Sequence, residues 1–145
     1  MKEILIGADH AGFRMKEALK KYLKELKVRV RDYGTGSEES TDYPSIAEEL
    51  AKGIGKGKEG ILICGTGIGM SIAANKVKGV RAAVCHNEFT AQVAKEHNHA
   101  NVLCLGARDI GNGMAKKIVK KWLETAPSTE ERHMRRIKEI ADIEC

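Results

Sequence analysis

Gly60-Ile61-Leu62-Ile63-Cys64-Gly65-Thr66-Gly67-Ile68-Gly69-Met70-Ser71 is the stretch that decides the fold. The apolar run Gly60 to Ile63 reads as a buried strand. Glycines at 65, 67 and 69 then leave backbone N–H groups unobstructed, and a helix starts directly after them. Strand, glycine loop and helix in that order form the unit of a parallel α/β sheet, and the loop is a candidate anion hole. Cys64 closes the strand at the mouth of this loop. A thiol beside free N–H groups and a helix N-terminus is a candidate for a lowered pKa, and so for an acid or base. A cysteine at a strand end is as often inert packing, and the loop alone leaves both readings open.

Outward from this stretch, strand and helix patterns alternate along the chain. Ile4 to Ile6 reads as a first strand and Gly12 to Leu26 as an amphipathic helix, with Phe13, Ala18, Leu19, Tyr22, Leu23 and Leu26 near a 3.6 period. Val28 to Tyr33 alternates as a second strand. A polar loop, Gly34 to Tyr43, leads to Pro44 in the first turn of a helix that runs to about Gly53. After the third strand comes a short helix near Ser71 to Lys76. Arg81 to Cys85 is a fourth strand, and Asn87 caps a helix to Glu96. Asn101 to Leu105 is a fifth strand, followed by a helix from Ile110 to Leu123. Pro127 breaks the chain, and Ser128 caps a last helix to about Ile143. This order implies a parallel sheet covered by helices on both faces, with ligands at the carboxyl ends of the strands. Asp9, His10, Thr35, Cys64 to Gly69, His86, Asn87 and Arg108 follow the strands and are expected on one rim. No repeat or linker divides the chain, which reads as one domain over 1–145.

The composition fits this picture. With 145 residues, 42% hydrophobic and 31% charged, the chain can bury a core of its own. No apolar run approaches a membrane span. Met1-Lys2-Glu3 leads straight into strand-like sequence without a secretory apolar region, so a cytoplasmic location is expected. Cys64, Cys85, Cys104 and Cys145 show no CxxC spacing, which fits a reducing compartment better than zinc or disulfides. The net charge of +5 gathers early, at Arg14, Lys16, Lys20, Lys21, Lys24, Lys27, Arg29 and Arg31. Almost no aromatic residues interleave with them, so a solvated basic face is expected rather than a nucleic-acid surface.

Other motifs are weaker singly. Gly65 to Gly69 is not a dinucleotide fingerprint, which needs GxGxxG in the first strand–helix turn. Gly7 and Gly12 have the outer spacing of a phosphate loop, but Phe13-Arg14 stands where Lys-Ser/Thr is needed. Asp9-His10 either caps the coming helix or faces a ligand's hydroxyls or phosphate. His97-Asn98-His99 lacks the carboxylates of a metal site and suits proton transfer better. Arg132 and Arg136 share one helix face, as a phosphate clamp requires, though Glu130, Glu131 and Glu139 also fit an ordinary salt-bridged surface.

Jointly these motifs are specific. Gly7 to Gly12, Asp42-Tyr43-Pro44, Cys64 to Lys76, His97-Asn98, and Arg132-His133 with Arg136 resemble the type B ribose-5-phosphate isomerase family, within the wider group of ribose, galactose and allose phosphate isomerases. The likeness covers almost the whole chain. It implies a Rossmann-like three-layer α/β/α subunit with a five-stranded parallel sheet and a C-terminal helix used in dimerisation. It implies an aldose–ketose isomerase of the non-oxidative pentose phosphate pathway, converting D-ribose 5-phosphate and D-ribulose 5-phosphate through a cis-enediolate. No metal and no cofactor are implied, nor a nucleic-acid or membrane partner. The implied assembly is a homodimer with active sites at the interface, with a tetramer as the larger alternative.

By the same resemblance Cys64 is the base that moves the proton between C2 and C1, and the backbone of Gly65, Gly67 and Gly69 is the anion hole. Thr66 and His97 open the furanose ring, His97 coming from the partner subunit. Asn98, Asp9 and Tyr43 contact the sugar, while His10, Arg132 and Arg136 contact the phosphate. Arg108 matches an arginine contributed across the interface. Ile68 stands where another subset carries its base, a glutamate, which places this chain with the cysteine subset. His99 and Thr125 to Glu131 depart from the family pattern. A six-carbon sugar phosphate, such as allose or galactose 6-phosphate, is the alternative substrate. A non-catalytic sugar-phosphate or nucleotide-binding module is the alternative class.

Overall fold

The computed structural model describes residues 2–55 and 57–144; Met1, Lys56 and Cys145 lie outside that description. Its centre is a five-stranded sheet in which every pairing is parallel. The strands are β1 (Glu3–Ala8), β2 (Arg29–Asp32), β3 (Glu59–Cys64), β4 (Ala82–Val84) and β5 (Val102–Gly106), arranged β2-β1-β3-β5-β4. The inner strands β1, β3 and β5 are buried almost end to end, and the edge strands are partly exposed. That is why the inner three read as continuous apolar runs.

Strand residues alternate between two cores. Ile4, Ile6, Ile61, Ile63, Leu103 and Leu105 face one side, where α1 (Phe13–Glu25), α4 (Glu88–Asn98) and α5 (Asn112–Glu124) cover them. Leu5, Leu62, Cys64, Val102 and Cys104 face the other, under α2 (Tyr43–Lys52) and α3 (Ile68–Ala74). Each fully buried Leu or Ile contributes about 1.5–3 kcal/mol to that packing. The last helix, α6 (Glu131–Ile143), buries only His133 among the described residues.

The path of the chain sets the site. From β1 it turns through α1 to β2 on one side, then crosses by α2 to β3 on the other, so the carboxyl ends of β1 and β3 flank a switch point. A short 3₁₀ turn, His10–Gly12, follows β1. Gly12 packs so closely on β3 that an added Cβ would lie 2.7 Å from the Ile63 carbonyl oxygen.

Three expectations are corrected. The helix after the glycine loop begins at Ile68, three residues before Ser71, so Gly69 belongs to the helix. Ser128 does not cap the last helix, which starts after Glu130; its Oγ instead accepts from the Glu130 N–H at 3.0 Å. Lys16 is not part of a solvated basic face: it is 1% exposed and bonds Asp32 at 2.6 Å and Glu17 at 3.0 Å. Asn87, by contrast, does cap α4, through a capping box with Thr90.

Candidate active site

The functional side chains fall into two groups, at opposite ends of the sheet. The first is the rim at the carboxyl ends of β1, β3 and β5. Cys64 is 5% exposed, and its Sγ accepts the Gly67 N–H at 3.1 Å. Gly67 has φ +80°, and a Cβ there would sit 3.0 Å from the Leu105 carbonyl carbon, so both conformation and space require glycine. The turn aims a backbone dipole at the sulfur, which places partial positive charge against it. Thr66 Oγ1 accepts the Ile68 N–H at 3.2 Å. The next N–H groups, of Gly69 and Met70, belong to the first turn of α3, where a helix has no internal acceptors for them. They suit an oxygen that gains negative charge.

Neighbouring elements wall this rim. The Tyr43 ring at the start of α2 lies against Gly69, where a Cβ would be 2.5 Å from it. The Arg108 N–H donates to the Gly65 carbonyl at 2.9 Å, and its guanidinium covers Gly65. Its neighbour Asp109 pairs with His86 Nδ1 at 2.6 Å.

Asp9 and His10 line a cleft of about 560 Å³ with Ser40 to Ser45. Asp9 performs the capping role, its Oδ1 accepting the Gly12 N–H at 3.1 Å, and still borders the cleft. His10 Nδ1 lies 3.1 Å from the Thr41 N and 3.3 Å from the Thr41 carbonyl oxygen. With Nδ1 engaged by Thr41, Nε2 is the ring nitrogen left to meet an anion.

The second group is at the foot of the sheet. Helix α4 runs back against the strand direction from its cap at Asn87, so its last residues, His97 and Asn98, lie beside the amino ends of β4 and β5. Arg81, just before β4, fixes this end by donating from Nε to the carbonyls of Asn98 (3.2 Å) and His99 (3.0 Å). His99 takes the left-handed conformation at φ +47° and donates from Nε2 to the Ser128 carbonyl at 2.8 Å. This departure from the family pattern thus ties the end of α4 to the approach of α6. The His97 ring stacks on His133, with centroids 4.3 Å apart and planes 8° from parallel. Burial, with the nearby His97, Arg132 and Arg136, holds the His133 pKa below the usual histidine value, against the opposing pull of Glu130. Arg132 pairs with Glu130 at 3.0 Å.

One chain therefore gathers Asp9, His10, Tyr43, Cys64, Gly65, Thr66, Gly67, Gly69 and Arg108 at the rim. It gathers His97, Asn98, Arg132 and Arg136 at the foot. A strand of five residues, β5, separates the two ends by about 16 Å. The Thr41 contact, the His86–Asp109 pair and the His97–His133 stack each join residues distant in the chain, and local sequence patterns carry no signal of them. Among the described residues, no group of three or more His, Cys, Asp or Glu side chains is placed to hold a metal ion. None of the described helices is long and apolar enough to cross a membrane.

Comparison with known proteins adds to this geometry. Residues 4–140 match the family described as Ribose/Galactose Isomerase. The chain is 47% identical to ribose-5-phosphate isomerase B of Escherichia coli, over 99% of this chain and 97% of that one. It is 48% identical to D-erythrulose-4-phosphate isomerase of Pectobacterium atrosepticum, over 86% of this chain and 84% of that one. Among solved structures, type B ribose 5-phosphate isomerase of Trypanosoma brucei superposes with a TM-score of 0.94 at 42% identity, covering 99% of each chain.

Proposed function

The chain belongs to the ribose/galactose isomerase family, and from that premise we propose that it interconverts D-ribose 5-phosphate and D-ribulose 5-phosphate as a homodimer, each active site joining the rim of one chain to the foot of the other. The observation that carries this reading is the separation of Cys64 from His97. An aldose–ketose isomerase needs a ring-opening group and a carbon base on one substrate, and a single chain keeps them at opposite ends.

The roles follow from the chemistry of the groups. His97 of one subunit, with Thr66 of the other, moves the proton that opens the furanose. The Cys64 thiolate takes the proton from C2, and the cis-enediolate oxygen gains negative charge facing the N–H groups of the glycine loop and the first turn of α3. The same thiol returns the proton to C1, while a proton leaves the C2 hydroxyl and another reaches the C1 oxygen. Atoms balance without an oxidant or cofactor. His10 Nε2, Arg132 and Arg136 hold the phosphate, so its binding energy orients the reacting carbons. Asp9, Tyr43 and Asn98 hold the sugar hydroxyls, and Arg108 covers the loop from above.

Exposed apolar residues support the pairing of two chains. Ile68 (54% exposed) and Ile72 (57%) on α3 and Ile140 (41%) and Ile143 (80%) on α6 offer apolar surface that a second copy covers. We place the enzyme in the cytoplasm, a reading supported by the free thiols of Cys64, Cys85 and Cys104, and treat 1–145 as one isomerase domain.

A four-carbon substrate is the second reading, favoured by the 48% identity to an erythrulose-phosphate isomerase. A four-carbon aldose 4-phosphate has O4 esterified and cannot close a furanose ring, so it has no use for ring-opening groups such as His97 and Thr66. The test is a coupled assay with EDTA present, offering ribose 5-phosphate, erythrulose 4-phosphate and allose 6-phosphate side by side. The pentose is expected to show the highest kcat/KM, by about tenfold or more. A higher value for either of the others overturns the substrate assignment.

A further inference from the structure

The foot holds a contact that the steps above do not use. His133 is the buried residue of α6, 8% exposed, and its ring lies flat on His97 at 4.3 Å. His97 sits in the last turn of α4 with its side chain 42% exposed. Its Nε2 is 3.8 Å from Glu96 Oε1, too long for a hydrogen bond. The stack is thus the contact that sets the plane of the His97 ring, since flat rings at this separation favour one offset-parallel arrangement.

On its other side, His133 adjoins Arg132 in the chain and lies one turn before Arg136. One ring therefore sets both the His97 plane and the distance from it to the two guanidinium groups. The charged and titratable groups facing His133 are His97 from α4, and Glu130, Arg132 and Arg136 from the α6 segment. Burial and the two arginines favour a neutral ring, which lies on His97 without charge repulsion.

We propose that His133 is a positioning residue for ring opening: its imidazole locks the His97 ring in place and couples it to the helix that carries the phosphate arginines. This rests on the reading of His97 as the ring-opening group and of Arg132 and Arg136 as phosphate contacts.

The experiment measures kcat and KM for ribose 5-phosphate with the full chain carrying His133→Leu, His133→Phe, His97→Ala, or His97→Ala with His133→Leu. Leucine keeps the burial without the flat ring, and kcat should fall about tenfold to a hundredfold with KM within about threefold. Phenylalanine restores a stacking ring and should return kcat to within about threefold of the wild type. In the His97→Ala background, His133→Leu should lower kcat no further, because the two residues act as one unit. Wild-type kcat in His133→Leu overturns the proposal. So do equal losses in the leucine and phenylalanine variants, or a raised KM at unchanged kcat, which would make His133 a phosphate contact. Wild-type kcat in His97→Ala removes the underlying reading of His97 instead, and the proposal with it. Should the leucine variant fail to fold, His133→Phe decides: near-wild-type kcat supports positioning by a flat ring, and a tenfold loss overturns it.

Discussion

The rim and the foot of this subunit are built by different means. At the rim, Cys64, Asp9 and the glycine loop are extensions of buried strands. Their neighbours approach so closely that Gly12 and Gly67 have no room for a side chain beyond hydrogen. At the foot, His97, Asn98, Arg132 and Arg136 stand on the end of one helix and on another helix that buries a single residue among those described. The rim is rigid because the sheet is rigid. The foot is fixed by a few polar and stacking contacts. In the proposed function, carbon-acid proton transfer, which needs sub-ångström placement, falls to the rim of one chain, and ring opening and phosphate binding fall to the foot of a second.

Substitutions should therefore act differently at the two ends. The largest effect is expected at the rim: Cys64→Ala should lower kcat by on the order of 10³-fold or more, with an unchanged thermal melt. Retained turnover would remove the thiol as the carbon base. Gly67→Ala comes next. It forces a Cβ into the Leu105 backbone and turns away the N–H that faces Cys64 Sγ, so kcat should drop about 10²-fold to 10³-fold. An active Gly67→Ala enzyme would show the loop to be less constrained than its geometry indicates.

At the foot, Arg136→Ala should mainly raise KM, by about tenfold, with kcat less affected, as expected for an arm that grips a remote phosphate. An unchanged KM breaks the assignment of the foot to phosphate.

The smallest effect concerns a strut of the rim. Burial raises the Asp32 pKa, but hydrogen bonds from Lys16, Lys20 and the Gly34 N–H outweigh it and hold the carboxyl below its usual value. A carboxylate lowered in the folded state contributes stability above its unfolded pKa and loses it as pH falls through the folded one. Asp32→Asn should therefore lower Tm at pH 7, by about 5 °C if the change leaves the buried Lys16 at a cost of about 2 kcal/mol. The gap should start to narrow as pH falls below about 4, the unfolded carboxylate's range, and close only below the lowered folded pKa, where the wild-type carboxyl is itself protonated. A gap that stays constant from pH 7 to pH 3 removes the charge as its cause.

The same contrast explains what could be read from the sequence. The rim was legible because each of its residues directly follows an apolar strand run, and a parallel sheet brings the carboxyl ends of its strands together. The five strands and the capping of α4 by Asn87 follow from the same local patterns. The start of α3 is not legible because glycines at 65, 67 and 69 read as loop, whereas α3 takes up Gly69 and packs it beneath Tyr43. The charge of Lys16 is met by Asp32 from β2, a partner that periodicity along α1 does not reveal. At the foot, residue types and the family pattern named His97, Asn98, Arg132 and Arg136, but not their arrangement. The His97–His133 stack and the His99–Ser128 bond join α4 to a segment some thirty residues on, and only tertiary structure brings them together.

The shared site is tested most directly by complementation. Cys64→Ala and His97→Ala chains, each strongly impaired alone, are unfolded together and refolded as a mixture, then assayed with ribose 5-phosphate. The account predicts recovery to about a quarter of wild-type activity, the share of intact sites in a random mixture of two-fold dimers. A mixture as inactive as its parents, with dimers present, would contradict the joining of one chain's rim to another chain's foot.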